Sequence, residues 1–253
     1  MAKASWKEVA AACGRAALDV ACETIWPTRC AVCDLPGELI CDACARALAF
    51  IDTWRACPRC GAPFGRVQCT ECNATMLASG GRTELPLAAL ASAVVLDRSA
   101  RRIVLAYKDQ GERRLSAVIA QVMARYVPPS WTAPQDGRPP AVAFVPATSA
   151  ARRRRGFDHA EKIAHDVAEA LALEVAPVLA RPHSRDQRKL SRTQRLANLS
   201  GRMTLLAGAT VPDTVILVDD VCTTGATLYS AAEALQSGGT KTVYGLTFAR
   251  AWS

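Results

Sequence analysis

From residue 87 onward, short apolar runs alternate with stretches in which apolar residues recur every third or fourth position. LAALASAVVL, AVAFVPAT, TVILVDD and TVYGLTFAR read as strands. RSARRIVLAYKDQGERRLSAVIAQVMARYV reads as helix, Gly-containing turn and helix, and FDHAEKIAHDVAEALAL and TLYSAAEALQSGG as further helices. Near-continuous apolar strands separated by helices predict an α/β fold, a parallel sheet with helices on both faces. VPPSWTAPQDGRPP, with five prolines, predicts a surface loop. At the start of the chain, Trp6, Val9, Ala10, Cys13, Ala17 and Val20 follow one helical stripe, which predicts an amphipathic helix within residues 1–28. The connector ASGGRTELP separates the sheet domain, residues 85–253, from a cysteine-rich region at 29–78.

With 253 residues, half of them apolar, the chain can bury a sizeable core, which excludes a disordered protein. Its net charge of +8 favours phosphate-bearing partners over cationic ones. The longest apolar run, Leu85 to Leu96, has 12 residues and a proline, short of the ~20 needed to cross a bilayer. Arg15, Asp19 and Glu23 interrupt what would be the core of a secretory signal, so a cytoplasmic protein is expected.

Eight of the 11 cysteines form four Cys-x-x-Cys pairs: Cys30/Cys33, Cys41/Cys44, Cys57/Cys60 and Cys69/Cys72. A two-residue gap lets both thiolates turn towards one ion, and two such pairs complete a tetrahedron around zinc. Seven residues separate the first two pairs and eight the last two, as in a duplicated zinc ribbon. A disulfide framework would need an oxidising compartment. Sequential pairing, 30/33 with 41/44 and 57/60 with 69/72, closes short loops; a crossed arrangement closes longer ones. One or two structural zinc ions are expected, since four sulfurs leave no open position for water.

The run VILVDDVCTTGATL, Val215 to Leu228, ends a strand in two adjacent acids. Like charges side by side resist burial, so a partner is implied. In parallel sheets ligands bind beyond the carboxyl ends of the strands, where Asp219 and Asp220 stand. The following turn feeds a helix whose free N–H groups favour an anion. Gly225 permits close backbone approach, and Thr223, Thr224 and Thr227 add hydroxyl donors. A sugar phosphate satisfies both halves of such a site. A nucleotide-hydrolysing sheet would need a Gly-Lys dipeptide in its phosphate loop, and the chain has none.

This 14-residue string resembles the phosphoribosyl pyrophosphate signature of type I phosphoribosyltransferases. The resemblance implies that Asp219 and Asp220 hold the ribose 2′ and 3′ hydroxyls, and that Thr223, Thr224, Gly225, Ala226 and Thr227 bind the 5′-phosphate. Taken in order, the paired cysteines, LAYKDQGERRL, RRRRGFDHAEKIA, SRDQRKLSRTQRLANLSG and ILVDDVCTTGATL resemble the ComF family over nearly the whole chain. Members of that family are competence-associated, phosphoribosyltransferase-like proteins with a double zinc ribbon. The resemblance implies a type I phosphoribosyltransferase-like sheet, magnesium accompanying phosphoribosyl pyrophosphate, a link to DNA uptake and a protein partner in the competence machinery. Where the family pattern continues Arg-Gly-Phe with Asn-Gln, this chain has Asp158-His159. A carboxylate there would repel pyrophosphate unless magnesium intervened.

Arg152 to Arg155 follow strand AVAFVPAT at a carboxyl end, and the resemblance places this loop at the pyrophosphate; Arg152, Arg153 and Arg155 are the candidate contacts. Between Arg181 and Arg202, seven Lys and Arg residues accompany one acid, Asp186, in a polar segment that reads as a loop able to close over an anion. Arg188 and Lys189 are its candidate contacts, on charge alone. The implied chemistry is displacement of pyrophosphate from an anomeric carbon by a nitrogen nucleophile. The alternative is a non-catalytic protein that binds single-stranded DNA and keeps a regulatory or vestigial sugar-phosphate site, since both ligands are polyanions. Among the three histidines, His165 falls mid-helix and reads as structural, while His159 and His183 stay open.

Overall fold

The computed structural model describes residues 27–181 and 203–252. These residues divide into two compact units, one ending at Ala47 and the other starting at Leu48. The first unit is built from turns and one short helix, α1 (Asp42–Arg46), which buries no residue. Backbone bonds from Cys30 N to Leu35 O, Ala31 N to Leu39 O and Asp34 N to Cys30 O hold its turns.

The second unit contains, in order, α2 (Ala74–Ser79), β1 (Ala89–Val95), α3 (Arg98–Lys108), α4 (Leu115–Ala124), α5 (Pro129–Thr132) and β2 (Ala141–Phe144). There follow α6 (Ser149–Arg155), α7 (His159–Leu171), β3 (Glu174–Val175), β4 (Leu179–Ala180), β5 (Thr204–Leu205), β6 (Thr214–Cys222), α8 (Ala226–Ser237) and β7 (Thr242–Arg250). Five strands form a sheet in the order β1-β7-β6-β2-β3, parallel at every pairing. The α/β fold expected from the alternating pattern is therefore the one observed. Central β6 shows why: Val215 and Leu217 pack with Ala143, Val243 and the α8 residues Leu228, Ala231 and Leu235. Ile216 and Val218, pointing the other way, are equally buried beneath the α7 and α4 layer.

After β2 the chain crosses outward to β3, and after β6 it crosses in the opposite direction to β7. Connections that diverge in this way leave a crevice at the carboxyl ends of β2 and β6. The sheet's edges are both covered or short. β3 has two residues, and β1 is bridged by the preceding segment through Ile51 N to Ala93 O and Val95 N to Ala49 O.

Three features depart from the expected elements. The proline-rich stretch is not wholly a surface loop: α5 buries Trp131, which stacks on Tyr244 with ring centroids 4.5 Å apart. The arginine run is not a loop but the body of helix α6, capped by the Thr148 side chain. A two-residue antiparallel ladder, β4 with β5, brackets the basic segment. Residues 182–202, including Arg188 and Lys189, and residues 1–26, which hold all but the end of the helix expected over 1–28, lie outside the described residues. Among the described residues no helix is long and apolar enough to cross a membrane.

Candidate functional site

Strand β6 does not stop at its acids. It continues to Cys222, pairing Asp219 with Thr247 and Cys222 with Arg250 on β7. Asp219 and Asp220 are accordingly both buried. Lys108, the last residue of α3, forms an ion pair with Asp220 Oδ2, and His159 Nε2 lies 3.8 Å from Oδ1. Asp219 Oδ1 accepts from the Asp220 N–H at 2.9 Å. These partners separate two chemically identical groups. Burial pushes Asp219 well above the usual carboxylate range, and the neighbouring Asp220 charge adds to it. Burial acts on Asp220 too, but Lys108, with help from His159, brings it below that range.

The first two polar blocks of the sequence interlock around this pair. Tyr107 donates to the His159 carbonyl at 2.7 Å, and Arg155 Nε donates to Asp109 at 3.2 Å. Arg113 lies over the Phe157 ring, 4.7 Å from its centroid. Arg155 Nη1 approaches His159 Nδ1 at 3.5 Å. A guanidinium can only donate, so Nδ1 accepts and the ring proton sits on Nε2, facing Asp220. Burial lowers the His159 pKa to about 4, with Lys108 and Arg155 acting in the same sense against Asp220 and Asp158. The imidazole is neutral at pH 7.

Asp158 is buried, and its carboxylate is fully engaged with backbone. Oδ2 accepts from Ala147 N at 2.7 Å; Oδ1 accepts from Ala160 N at 3.1 Å and Glu161 N at 3.4 Å. It caps α7 and ties down the loop after β2. Asp158 is therefore a structural cap and is absent from the cleft lining, although its charge still reaches the cleft residue His159.

Beyond Cys222, residues 223–225 turn into α8. Gly225 has φ of 79°. A Cβ there would stand 2.5 Å from the Tyr229 ring, so both conformation and packing require glycine. The first N–H groups of α8 have no acceptor within their own helix. Cys222 is buried, and its thiol is pushed up to about 11, chiefly by desolvation, which makes it an inert core residue.

A cleft of about 320 Å³ gathers these groups, lined by Lys108, Arg155, His159, Arg181, the Val145–Thr148 loop, Asp219, Asp220, Thr223 and Thr227. Of the residues singled out from sequence, Asp219, Asp220, Thr223, Thr227 and Arg155 line it. Thr224 and Ala226 line a second cleft behind the turn. Arg152 and Arg153 are exposed on α6 and line neither. Lys108 and Arg181 were not singled out. Lys108 falls in the block LAYKDQGERRL, but nothing in that block names its partner, which is over a hundred positions away; the Asp158-x-x-Glu161 spacing, by contrast, is a capping signature.

The cysteines gather in two groups of four, Cys30/Cys33/Cys41/Cys44 and Cys57/Cys60/Cys69/Cys72, which is the sequential pairing. Sulfurs held ~2.3 Å from one ion stand about 3.8 Å apart in a tetrahedron. The observed separations are 3.7 Å for Cys33–Cys41, 3.6 Å for Cys57–Cys72 and 3.4 Å for Cys60–Cys69. Backbone N–H groups point at the sulfurs: burial raises the Cys30 thiol, but the N–H groups of Cys33, Cys41 and Val32 and the Cys33 side chain together outweigh it and bring it down to about 6. Burial and neighbouring thiols push Cys44 and Cys72 up to about 12. A Cβ on Gly65 would stand 2.7 Å from Cys57 Cβ and 2.9 Å from Cys69 Sγ, so the second cluster closes around a bare backbone. Both donor sets fit structural zinc.

No protein-family model and no curated protein matches the chain. A solved structure described as that of the allosteric regulatory enzyme of purine biosynthesis is similar to 52% of this chain, at 16% identity and a TM-score of 0.36. The match spans a quarter (25%) of that protein's length.

Proposed function

We propose that this chain binds phosphoribosyl pyrophosphate, or a closely similar sugar phosphate, in the cleft between β2 and β6, and that it is a cytoplasmic phosphoribosyltransferase. One observation carries the reading: a single cleft joins a buried carboxylate pair to a glycine turn at a helix N-terminus. Ribose hydroxyls donate to Asp219 and Asp220, while the 5′-phosphate accepts from the first N–H groups of α8 and from the Thr223 and Thr227 hydroxyls. Arg155, Lys108 and Arg181 supply positive charge for the pyrophosphate. A nitrogen nucleophile attacks the anomeric carbon as its bond to pyrophosphate breaks, the electron pair leaving with the pyrophosphate. The carboxylates stabilise the positive charge that develops on the ring. Magnesium, arriving with the ligand, would meet hard oxygen donors in Asp219 and Asp220 and offset charge on the leaving group.

Titration calorimetry with phosphoribosyl pyrophosphate and magnesium tests the site. Asp219→Asn combined with Asp220→Asn removes charged acceptors worth roughly 1.5–3 kcal/mol each, so affinity falls tenfold or more. Equal affinity in the folded double variant overturns the assignment.

A second reading rests on a different observation: Arg152, Arg153 and Arg154 are exposed on α6 outside the cleft lining, on a chain of net charge +8. They suit single-stranded DNA, and with the ComF resemblance they connect the protein to DNA uptake alongside a competence-machinery partner. Competition at low salt separates the cases, since phosphoribosyl pyrophosphate displaces DNA only if both occupy the cleft.

A further inference from the structure

Arg250 ends β7 and is 2% exposed, the largest side chain among the fully buried described residues. A guanidinium so placed must find acceptors for its N–H groups. Nη1 donates to the Ala251 carbonyl at 2.8 Å, to that of Cys222 at 3.3 Å and to that of Thr223. Nη2 faces Glu71 Oε2 at 3.4 Å. Cys222 and Thr223 are the residues that lead β6 into the turn before α8. In a planar trans peptide the carbonyl points opposite to the N–H of the next residue. The Cys222 carbonyl also accepts from the Ala251 N–H at 2.9 Å, so Arg250 acts chiefly on the Thr223 carbonyl; holding it there turns the Thr224 N–H away from Arg250 and fixes the backbone that opens the turn.

The other end of this chain of contacts is the second cysteine cluster. Glu71 stands between Cys69 and Cys72, on the knuckle that supplies two of its four sulfurs. The contact borders a cleft of about 280 Å³ shared by Glu71, Arg82, Thr224, Ala226, Tyr229 and Arg250, so a substitution at Glu71 has room and solvent beside it.

We propose that Arg250 is a positioning residue for the 223–227 turn, and that the Cys57/Cys60/Cys69/Cys72 centre sets that position through Glu71. The phosphate-binding consequence rests on the reading of this turn given above. Loss of metal from the second centre then loosens a turn more than a hundred residues away in sequence, and weakens its grip on a phosphate.

The test uses the full chain, with backbone amide exchange of the 222–227 segment and calorimetric binding of ribose 5-phosphate. Glu71→Gln removes the charge and leaves all eight ligand cysteines in place. Exchange in the segment rises several-fold, β6 and β7 stay protected, zinc content is unchanged, and ribose 5-phosphate binds about five- to tenfold more weakly, less than the loss of a whole charge-assisted hydrogen bond because the new side-chain amide oxygen can still accept. Arg250→Lys, which keeps the charge and loses the fork, moves both readouts the same way, and Glu71→Asp recovers part of them. Chelating the metal from the wild type raises exchange in the segment as Glu71→Gln does. Unchanged exchange in either the Glu71→Gln protein or the metal-stripped wild type overturns the proposal. If exchange rises in both but no form binds ribose 5-phosphate, the coupling stands and the phosphate reading of the turn falls.

Discussion

Two kinds of region in this molecule crowd groups that repel one another when charged, and they resolve the conflict differently. In the cysteine clusters four sulfurs face inward on a shared point, and their thiols are driven to opposite extremes, about 6 for Cys30 and about 12 for Cys44. Only a cation from outside relieves all four at once. In the cleft the cation is built into the chain, because Lys108 pairs with Asp220. The clusters thus leave their charge to be met by an ion, whereas the cleft meets part of its own with a lysine of the chain.

The most damaging way to probe this contrast is metal removal. Structural zinc supplies roughly 10–16 kcal/mol of apparent binding energy in small ribbons. The unit ending at Ala47, whose helix buries nothing, should lose its structure on chelation, while the parallel sheet retains its circular dichroism. A first unit that stays protected from proteolysis without metal would break the comparison.

Next in size is Asp220→Asn, which strands Lys108 in a mostly buried position. Breaking one side of a buried pair costs about 3–5 kcal/mol, so the melting temperature should drop by several degrees. Asp219→Asn should do the reverse. Its carboxyl has a raised folded-state pKa, so the charged form opposes folding at neutral pH, and the neutral isostere should raise the melting temperature while weakening ligand binding. Opposite signs from adjacent, isosteric changes are the sharpest form of the contrast; equal signs would contradict the role given to Lys108.

Acidification gives a smaller, graded effect. His159 is held near 4 in the folded state against ~6.5 unfolded, so the unfolded chain binds the extra proton and stability falls as pH drops from 6.5 towards 4. His159→Gln should flatten that loss in thermal melts at pH 7 and pH 5. Smallest is the exposed arginine face: if it meets single-stranded DNA, Arg152→Ala and Arg153→Ala should each reduce the log-affinity versus log-salt slope by about 0.7, with no change in melting temperature.

Much of the fold could be read from the sequence because its strands are buried on both faces and its helices keep a clear period. The paired cysteines and the apolar strand ending in Asp219-Asp220 also declare themselves locally. What escaped were relations between distant residues. That β6 would carry its acids into the sheet depends on β7 offering Thr247 and Ala249 as neighbours. That only Arg155 of the arginines named as pyrophosphate contacts reaches the cleft follows from α6 being a helix, which spreads consecutive side chains around its axis. Asp158 could have been recognised as a cap from Glu161, but its bond to Ala147 could not. Lys108 lay within the block LAYKDQGERRL, yet nothing there pointed to Asp220.

The short bridge from Ala49–Ile51 to β1 bears on how the protein behaves while being made. A parallel sheet left with a bare outer strand offers unpaired N–H and C=O groups to any neighbouring chain, and such edges nucleate aggregation. Here the cover for β1 comes from residues lying just before Cys57, the first ligand of the second cluster. Chain made without zinc should therefore expose a sheet edge if the cluster anchors this cover, and the soluble fraction recovered from zinc-depleted expression measures it.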